Sequence, residues 1–359
     1  MTVSNPRAEA ERTPLVGLSS AELAQIVQDL GERSYRGRQL SHWIYQRRAT
    51  LIDQMTDLPK ALRARLSERH DVGRSEVVHR SASSDGAVKY LLGLRDGETI
   101  ETVYLPYPDR VSVCLSSQVG CPAGCAFCAT AQGGLVRNLT AGEIVDQVLT
   151  LASEQPNRRI SHAVFMGMGE PLLNVENVLR ALQLLTDEVG MSARHLTVST
   201  VGVPEGIRRL AQEAPNVTLA LSLHAPDDEL RARLVPTARK WSIAEILDAC
   251  RRHYEQTRRN LTFEYILLRD VNDAPAHAAR LAQILGDLPG NVNLIPFNQV
   301  STASDFRRPD AARIAAFRDA LESAGRPTTQ RMERGHDIDA ACGQLRRSRL
   351  ARSAVAATH

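Results

Sequence analysis

Apolar positions change period twice along the chain, and the changes outline its plan. Leu23, Ile26, Val27 and Leu30 fall on one face of a helix opened by Ser19-Ser20-Ala21-Glu22 and closed at Gly31. A second helix is predicted over about 36–48, carrying Leu40, Trp43, Ile44 and Tyr45, and a third from Pro59 to about His70. Between 75 and 115 the period shortens. AVKYLLGL and TIETVYLPY, preceded by Asp-Gly turns at 85–86 and 96–97, read as antiparallel strands. From Val111 short apolar strands alternate with amphipathic helices. Strands are predicted near 111–116, 161–166, 195–200, 217–223, 262–268 and 292–296. Helices are predicted near 140–153, 174–188, 204–214, 242–256, 274–287 and 309–324. Such alternation implies a parallel α/β sheet. No dinucleotide-binding glycine fingerprint and no phosphate loop follows a strand. The expected fold class is therefore α/β, a partial (β/α)6 barrel with a small N-terminal helical domain and a short β-extension. The expected divisions are a disordered lead at 1–16, a helical module at 17–72, the β-extension at 73–110, the barrel at 111–325 and a C-terminal segment at 326–359.

The 359 residues include 43% hydrophobic types, a soluble globular composition. No apolar run approaches the roughly 18 residues needed to span a bilayer. The polar start, MTVSNPRAEAERTP, is not a secretory signal, so a cytoplasmic location is expected. The formal charge is only +3, but the basic residues are nearly all arginine. Arg33, Arg36, Arg38, Arg47 and Arg48, with Trp43 and Tyr45 among them, suit structured RNA, or form a charged face over a small core. Arg346, Arg347, Arg349 and Arg352 form an acid-free tail that suits phosphates, or a solvated end.

The chemistry begins at Cys121, Cys125 and Cys128, spaced C-x3-C-x2-C in CLSSQVGCPAGCAFCATAQGG. Three thiolates can hold three irons of a cubane cluster and leave the fourth open to a small molecule. Structural zinc takes four ligands, and the nearest fourth candidate, Cys114, lies seven residues before Cys121. Six cysteines in so long a chain make a poor disulfide framework. The other polar oddities fall at predicted strand ends, where barrels gather chemistry. Gly167-Met168-Gly169-Glu170-Pro171 follows the second strand, Ser199 ends the third, Ser222-Leu223-His224 ends the fourth and Asn298 follows the sixth.

C-x3-C-x2-C with Phe127 before the last cysteine resembles the radical S-adenosylmethionine (radical SAM) enzymes. SSQVGCPAGCAFC, RNLTAGEI, FMGMGEPLLN, SLHAPDDELR and GHDIDAACGQL, in that order, resemble the RlmN/Cfr methyltransferases within them, over about residues 20–347. The resemblance implies a radical-SAM barrel and methylation of an adenine ring carbon in 23S rRNA, at C2 (with tRNA also a substrate) or at C8. It implies one [4Fe-4S] cluster on Cys121, Cys125 and Cys128. SAM would be bound by Gly169, Glu170, Ser199, Ser222, Leu223, His224 and Asn298. Cys342 would carry a methyl group as S-methylcysteine, Cys114 would pair with Cys342 in a transient disulfide, and Glu101 would accept a proton. Val201 stands where the family often has serine, Phe297 where it has tryptophan, and the loop 299–308 is short.

The chemistry fits the residues. Adenine C2 lies between two ring nitrogens and is electron-poor, so it cannot attack the methyl of SAM, whereas a carbon radical can add to it. Small neighbours leave Cys342 accessible to take a methyl by displacement. Taken apart from the family, Cys342 reads equally as a buried thiol, Cys114 as a core strand residue, Glu101 as an exposed strand carboxylate and His224 as a strand-end histidine. Cys250, aligned with Ile246 and Leu247, reads as core. The expected activity is C2 methylation using two SAM molecules, with C8 methylation and a non-catalytic metal-bearing RNA-binding module as alternatives. The expected partners are 23S rRNA, tRNA and a flavodoxin- or ferredoxin-type electron donor, with the protein a monomer and no membrane involved.

Overall fold

The computed structural model describes residues 12–298, 305–332, 334–340 and 343–345. Its N-terminal part holds β1 (Thr13–Pro14), α1 (Ser20–Asp29), α2 (Tyr35–Ser41), α3 (Lys60–Arg69) and β2 (His70–Asp71). Ser19 caps α1 in the way its sequence implies: its hydroxyl accepts from the Glu22 N–H, and Glu22 reaches back to the Ser19 N–H. Residues 13–16, read from sequence as the end of a disordered lead, are ordered. β1 pairs in parallel with β2, and Leu15 and Val16 are core.

Ten strands form the main sheet, and their spatial order follows the chain. Antiparallel β3 (Glu76–Ala82), β4 (Val88–Gly93) and β5 (Thr99–Pro106) lead into β6 (Val111–Cys114). After the small pair β7 (Gln118–Gly120) and β8 (Leu135–Asn138) come β9 (His162–Phe165), β10 (Leu196–Thr200), β11 (Thr218–Ser222), β12 (Leu261–Leu267), β13 (Gly290–Pro296) and β14 (Thr328–Gln330). From β6 onward every neighbouring pair in the main sheet is parallel. A sheet whose order never reverses is singly wound, the arrangement of a barrel, and among the described residues its edges β3 and β14 are not paired with each other, which leaves the barrel open there. The intervening helices are α4 (Ala129–Gln132), α5 (Ala141–Glu154), α6 (Val175–Asp187), α7 (Pro204–Glu213), α8 (Asp228–Leu234), α9 (Ile243–Thr257), α10 (Pro275–Leu285) and α11 (Ala311–Ser323). The expected six parallel strands are present, and the three-residue β14 adds a seventh.

Two contacts fix the parts. Arg74 and Asp146 form a buried ion pair that joins the helical module to α5. Asp146 also accepts from the Ser75 N–H (2.7 Å), and Arg74 donates to Arg48 O (2.9 Å) and Thr150 Oγ1 (3.1 Å). The turn between β3 and β4 holds the C-terminal loop: Asp85 accepts from the Gly335 N–H (2.9 Å) and Asp337 from the Ser84 N–H (3.1 Å).

Candidate functional site

The three cysteines lie on the loop between β7 and α4. The loop is braced by Cys121 N–H to Gly134 O (2.9 Å), Cys128 N–H to Cys125 O (3.1 Å) and Ala126 N–H to Leu234 O (2.9 Å). All three face one cavity, together with Gly169, Glu170, Ser199, Ser222 and His224. Burial pushes the Cys121 thiol up to about 12 and Cys125 well above its usual range, and the neighbouring thiols add to both shifts. Cys121 and Cys125 resist ionising beside a third thiol, and a polynuclear cation would stabilise all three thiolates together. Among the described residues no three His, Cys, Asp or Glu groups converge on a single metal ion.

Glu170 opens the short helical turn Pro171–Leu173 and is buried. Its Oε1 accepts from the Leu172 N–H (3.0 Å) and Thr200 Oγ1 (2.6 Å), and Oε2 from the Val201 N–H (2.8 Å). Burial raises its pKa and these donors oppose the rise. Three of its roughly four acceptor positions are filled, which leaves one on Oε2. Gly169 has φ +109°, and a Cβ there would lie 2.6 Å from Ser117 Oγ, so only glycine fits between this turn and the β7 segment.

Ser199 and Ser222, on adjacent strands, are hydrogen-bonded through their hydroxyls (3.2 Å). His224 follows β11 with φ 63°, a left-handed conformation that is strained for histidine. Its ring packs edge-on against Phe127 (5.0 Å), and its Nδ1 accepts from the Ile266 N–H (3.1 Å). Burial, with Arg231 nearby, drives its pKa down to about 3, so the ring is neutral and the proton sits on Nε2. Asn272 holds this strained turn, donating to His224 O (2.9 Å) and Ile266 O (2.7 Å). Leu223 is buried and contributes main chain: its N–H donates to Glu264 O (3.1 Å).

A second cavity adjoins the first, the two sharing Met166, Ile295 and Arg331. Cys114, Asn298, Arg334 and Ala340 line it. Asn298 is buried, and its Oδ1 has no hydrogen-bond partner among the described residues, which marks it as a ligand-facing group. Cys342 lies outside the described residues, as do the four arginines of the tail. Its neighbours flank the site: Ala340 lines the Cys114 cavity, and Gly343 lines the cysteine cavity and accepts at its carbonyl from the Ala129 N–H (2.8 Å).

Glu101 lines neither cavity. It is buried on β5 rather than exposed, and Lys89 pairs with it at 3.1 Å. The same ammonium donates to Asp339 O (3.1 Å), in the loop leading to Cys342. Sequence reasoning missed Lys89, whose one signal is scarcity, since the chain holds three lysines. It also missed Glu264, a buried carboxylate on the cavity wall that accepts from Asn293 Nδ2 (2.8 Å), and Arg231, which lay within a quoted motif. Cys250 is core as expected, and burial lifts its thiol to about 12. Tyr45 is a correction. It is buried, and its hydroxyl accepts from the Gly17 N–H (3.0 Å) and donates to Leu18 O (2.6 Å), so it is no surface ring for RNA. Arg36 pairs with Glu32 and Arg48 is half-buried, which leaves Arg33, Arg38 and Arg47 as the exposed cations of that face, Arg47 lying over Trp43.

Residues 115–282 match the model of the radical SAM superfamily, and residues 13–72 match the ribosomal RNA large subunit methyltransferase N-terminal domain. A protein of Thermosynechococcus vestitus described as a probable dual-specificity RNA methyltransferase RlmN is 48% identical, covering 94% of this chain and 99% of its own. One of the same description from Gloeobacter violaceus is 49% identical, with 96% and 99% covered. The crystal structure of a radical SAM methyltransferase from Sphaerobacter thermophilus has 46% identity and a TM-score of 0.90, over 93% of this chain and 99% of that one. Among the described residues no helix is long and apolar enough to cross a membrane.

Proposed function

From the premise that this chain belongs to the RlmN family of radical SAM methyltransferases, we propose that it methylates C2 of an adenine in 23S rRNA and in the tRNA anticodon loop. The observation that carries the reading is the joined pair of cavities: three cysteines and the Glu170–Ser199–Ser222–His224 wall in one, Cys114 and the unsatisfied Asn298 in the other. Cys121, Cys125 and Cys128 would hold a [4Fe-4S] cluster. When bound, the cluster and SAM supply a carbon-centred radical able to take hydrogen from a methyl group.

The chain's own groups do the rest. The open position on Glu170 Oε2 and the close backbone at Gly169 suit the ammonium of SAM. Ser199, Ser222 and the neutral His224 offer hydroxyls and one ring N–H to its remaining polar atoms, and Asn298 Oδ1 a further acceptor. The Cys342 thiolate takes a methyl from a first SAM; after a hydrogen atom is removed from that methyl its carbon would join adenine C2, and the adduct radical would return one electron to the electron-donor couple, leaving RNA tethered through sulfur. Glu101, held by Lys89, accepts the C2 proton. Attack by the Cys114 thiolate on the Cys342 sulfur then breaks the carbon–sulfur bond and forms a Cys114–Cys342 disulfide, the released carbon taking up a proton to become the methyl group, and a two-electron reductant must reopen the disulfide before the next turnover. A monomer fed by a flavodoxin- or ferredoxin-type donor completes the proposal.

Peptide mapping for S-methylcysteine at position 342 after incubation with SAM tests this route. The Cys342→Ala variant should lose methyl transfer and keep its iron and SAM binding. Retained methylation in that variant, or methyl found at adenine C8, would overturn the reading.

A further inference from the structure

Arg231, on α8, is fully buried. Its hydrogen bonds go to main-chain carbonyls: Nε to Leu223 O (3.1 Å), and Nη2 to Ser222 O (3.4 Å) and Val201 O. Its Nη1 has no partner among the described residues. A full charge taken out of water and met by neutral dipoles is costly unless an anion lies close. The carboxylate of Glu170 is a weak candidate, because three other donors already hold it.

The placement of α8 supplies the answer. Cys125, Asp228, Cys250 and Glu170 are the acidic groups within electrostatic reach of the guanidinium. The segment carrying Arg231 is bound directly to the cysteine loop, through Ala126 N–H to Leu234 O (2.9 Å) and Thr237 N–H to Ala123 O (3.3 Å). Leu230, Leu234 and Val235 pack in the same small core as Cys121, Cys125 and Phe127. A cubane cluster on three thiolates carries net negative charge, and one unit more after it takes up an electron.

We infer that Arg231 is the fixed counter-charge of the cluster and sets the potential at which the cluster is reduced. The inference rests on the assignment of the cluster to Cys121, Cys125 and Cys128. Reduction brings one electron from an external one-electron donor and moves no proton. The guanidinium stays charged throughout and favours the more negative, reduced form. Arg231 touches no reacting atom; it is a positioning residue whose effect is electrostatic.

Arg231 also ties the ends of β10 and β11 together, so the test must separate charge from scaffolding. Arg231→Gln keeps a donor for the carbonyls and removes the charge, and Arg231→Lys keeps the charge with fewer donors. The full-length proteins are reconstituted anaerobically, iron is counted, and the cluster is titrated with dithionite while the reduced form is followed by electron paramagnetic resonance. Arg231→Gln is expected to shift the midpoint to more negative potential, and Arg231→Lys to stay near the parent value. A protein that loads iron as lysine but not as glutamine supports the same conclusion. Equal midpoints in parent and Arg231→Gln, equal shifts in both variants, or loss of the cluster from both would overturn it. A parent protein that takes up no iron refutes the cluster itself, a result distinct from any of these.

Discussion

Each of the three site cysteines lies on one short loop and faces a cavity it shares with the other two, so losing any one should be felt at once. Cys125→Ala is expected to retain the fold and lose most of its iron, measured by iron analysis and visible absorbance; undiminished iron would contradict the ligand assignment. Glu101 makes a different case. Its pairing with Lys89 gives the proposed base a fixed partner that also reaches the Cys342 loop. Glu101→Gln should therefore accumulate the protein–RNA adduct, visible as a retarded band under denaturing conditions, and Lys89→Met should do so more weakly. His253 tests burial away from the site. It is buried, and desolvation, with Arg259, lowers its pKa from 6.5 to about 4. Below pH 6.5 the unfolded chain therefore takes up a proton that the folded one refuses. Its contribution to stability is complete above that pH and is lost as pH falls toward 4, with a slope of up to about 1.4 kcal/mol per pH unit. Denaturant unfolding of His253→Leu between pH 6 and 4.5, about the window where this slope acts, should show a flatter pH dependence than the parent; parallel slopes would contradict it.

At the scale of elements, the β-extension is a platform. Asp85 and Ser84 in its first turn, and Lys89 on β4, all grip the loop between Gly335 and Asp339 that leads to Cys342. The helical module is held to α5 by Arg74 and Asp146. Removing one partner of so buried a pair strands the other charge, so Asp146→Ala is expected to destabilise the protein by about 3–5 kcal/mol, read by chemical denaturation. The major strands and helices were legible because each helix carries an apolar stripe, and capping boxes stand at Ser19, Thr140 and Ser242. The cysteine spacing and the strand-end residues were legible for the same local reason. What escaped was short or non-local. α8 has seven residues, and β14 has three, Thr-Thr-Gln, with no apolar alternation. Tyr45 sat on a basic helix whose buried side only its partners at Gly17 and Leu18 define. Lys89 meets Glu101, and Arg231 meets the cysteine loop, across chain separations that no window of sequence contains.

The whole molecule joins a basic helical module, a platform for the C-terminal loop and an open barrel with a cavity at its strand ends. RNA affinity should reside partly in Arg33, Arg38 and Arg47, and replacing all three with Gln should weaken tRNA binding and lower its salt dependence by up to about three phosphate contacts. Unchanged affinity and salt slope would remove the module from RNA contact. The central claim is the open cluster that turns SAM into a radical source. It is tested most directly by incubating anaerobically reconstituted, iron-loaded protein with SAM, dithionite and unmodified tRNA, and counting products by mass spectrometry. The account predicts equal amounts of 5′-deoxyadenosine, S-adenosylhomocysteine and adenine methylated at C2. Full iron loading with SAM left uncleaved would contradict it.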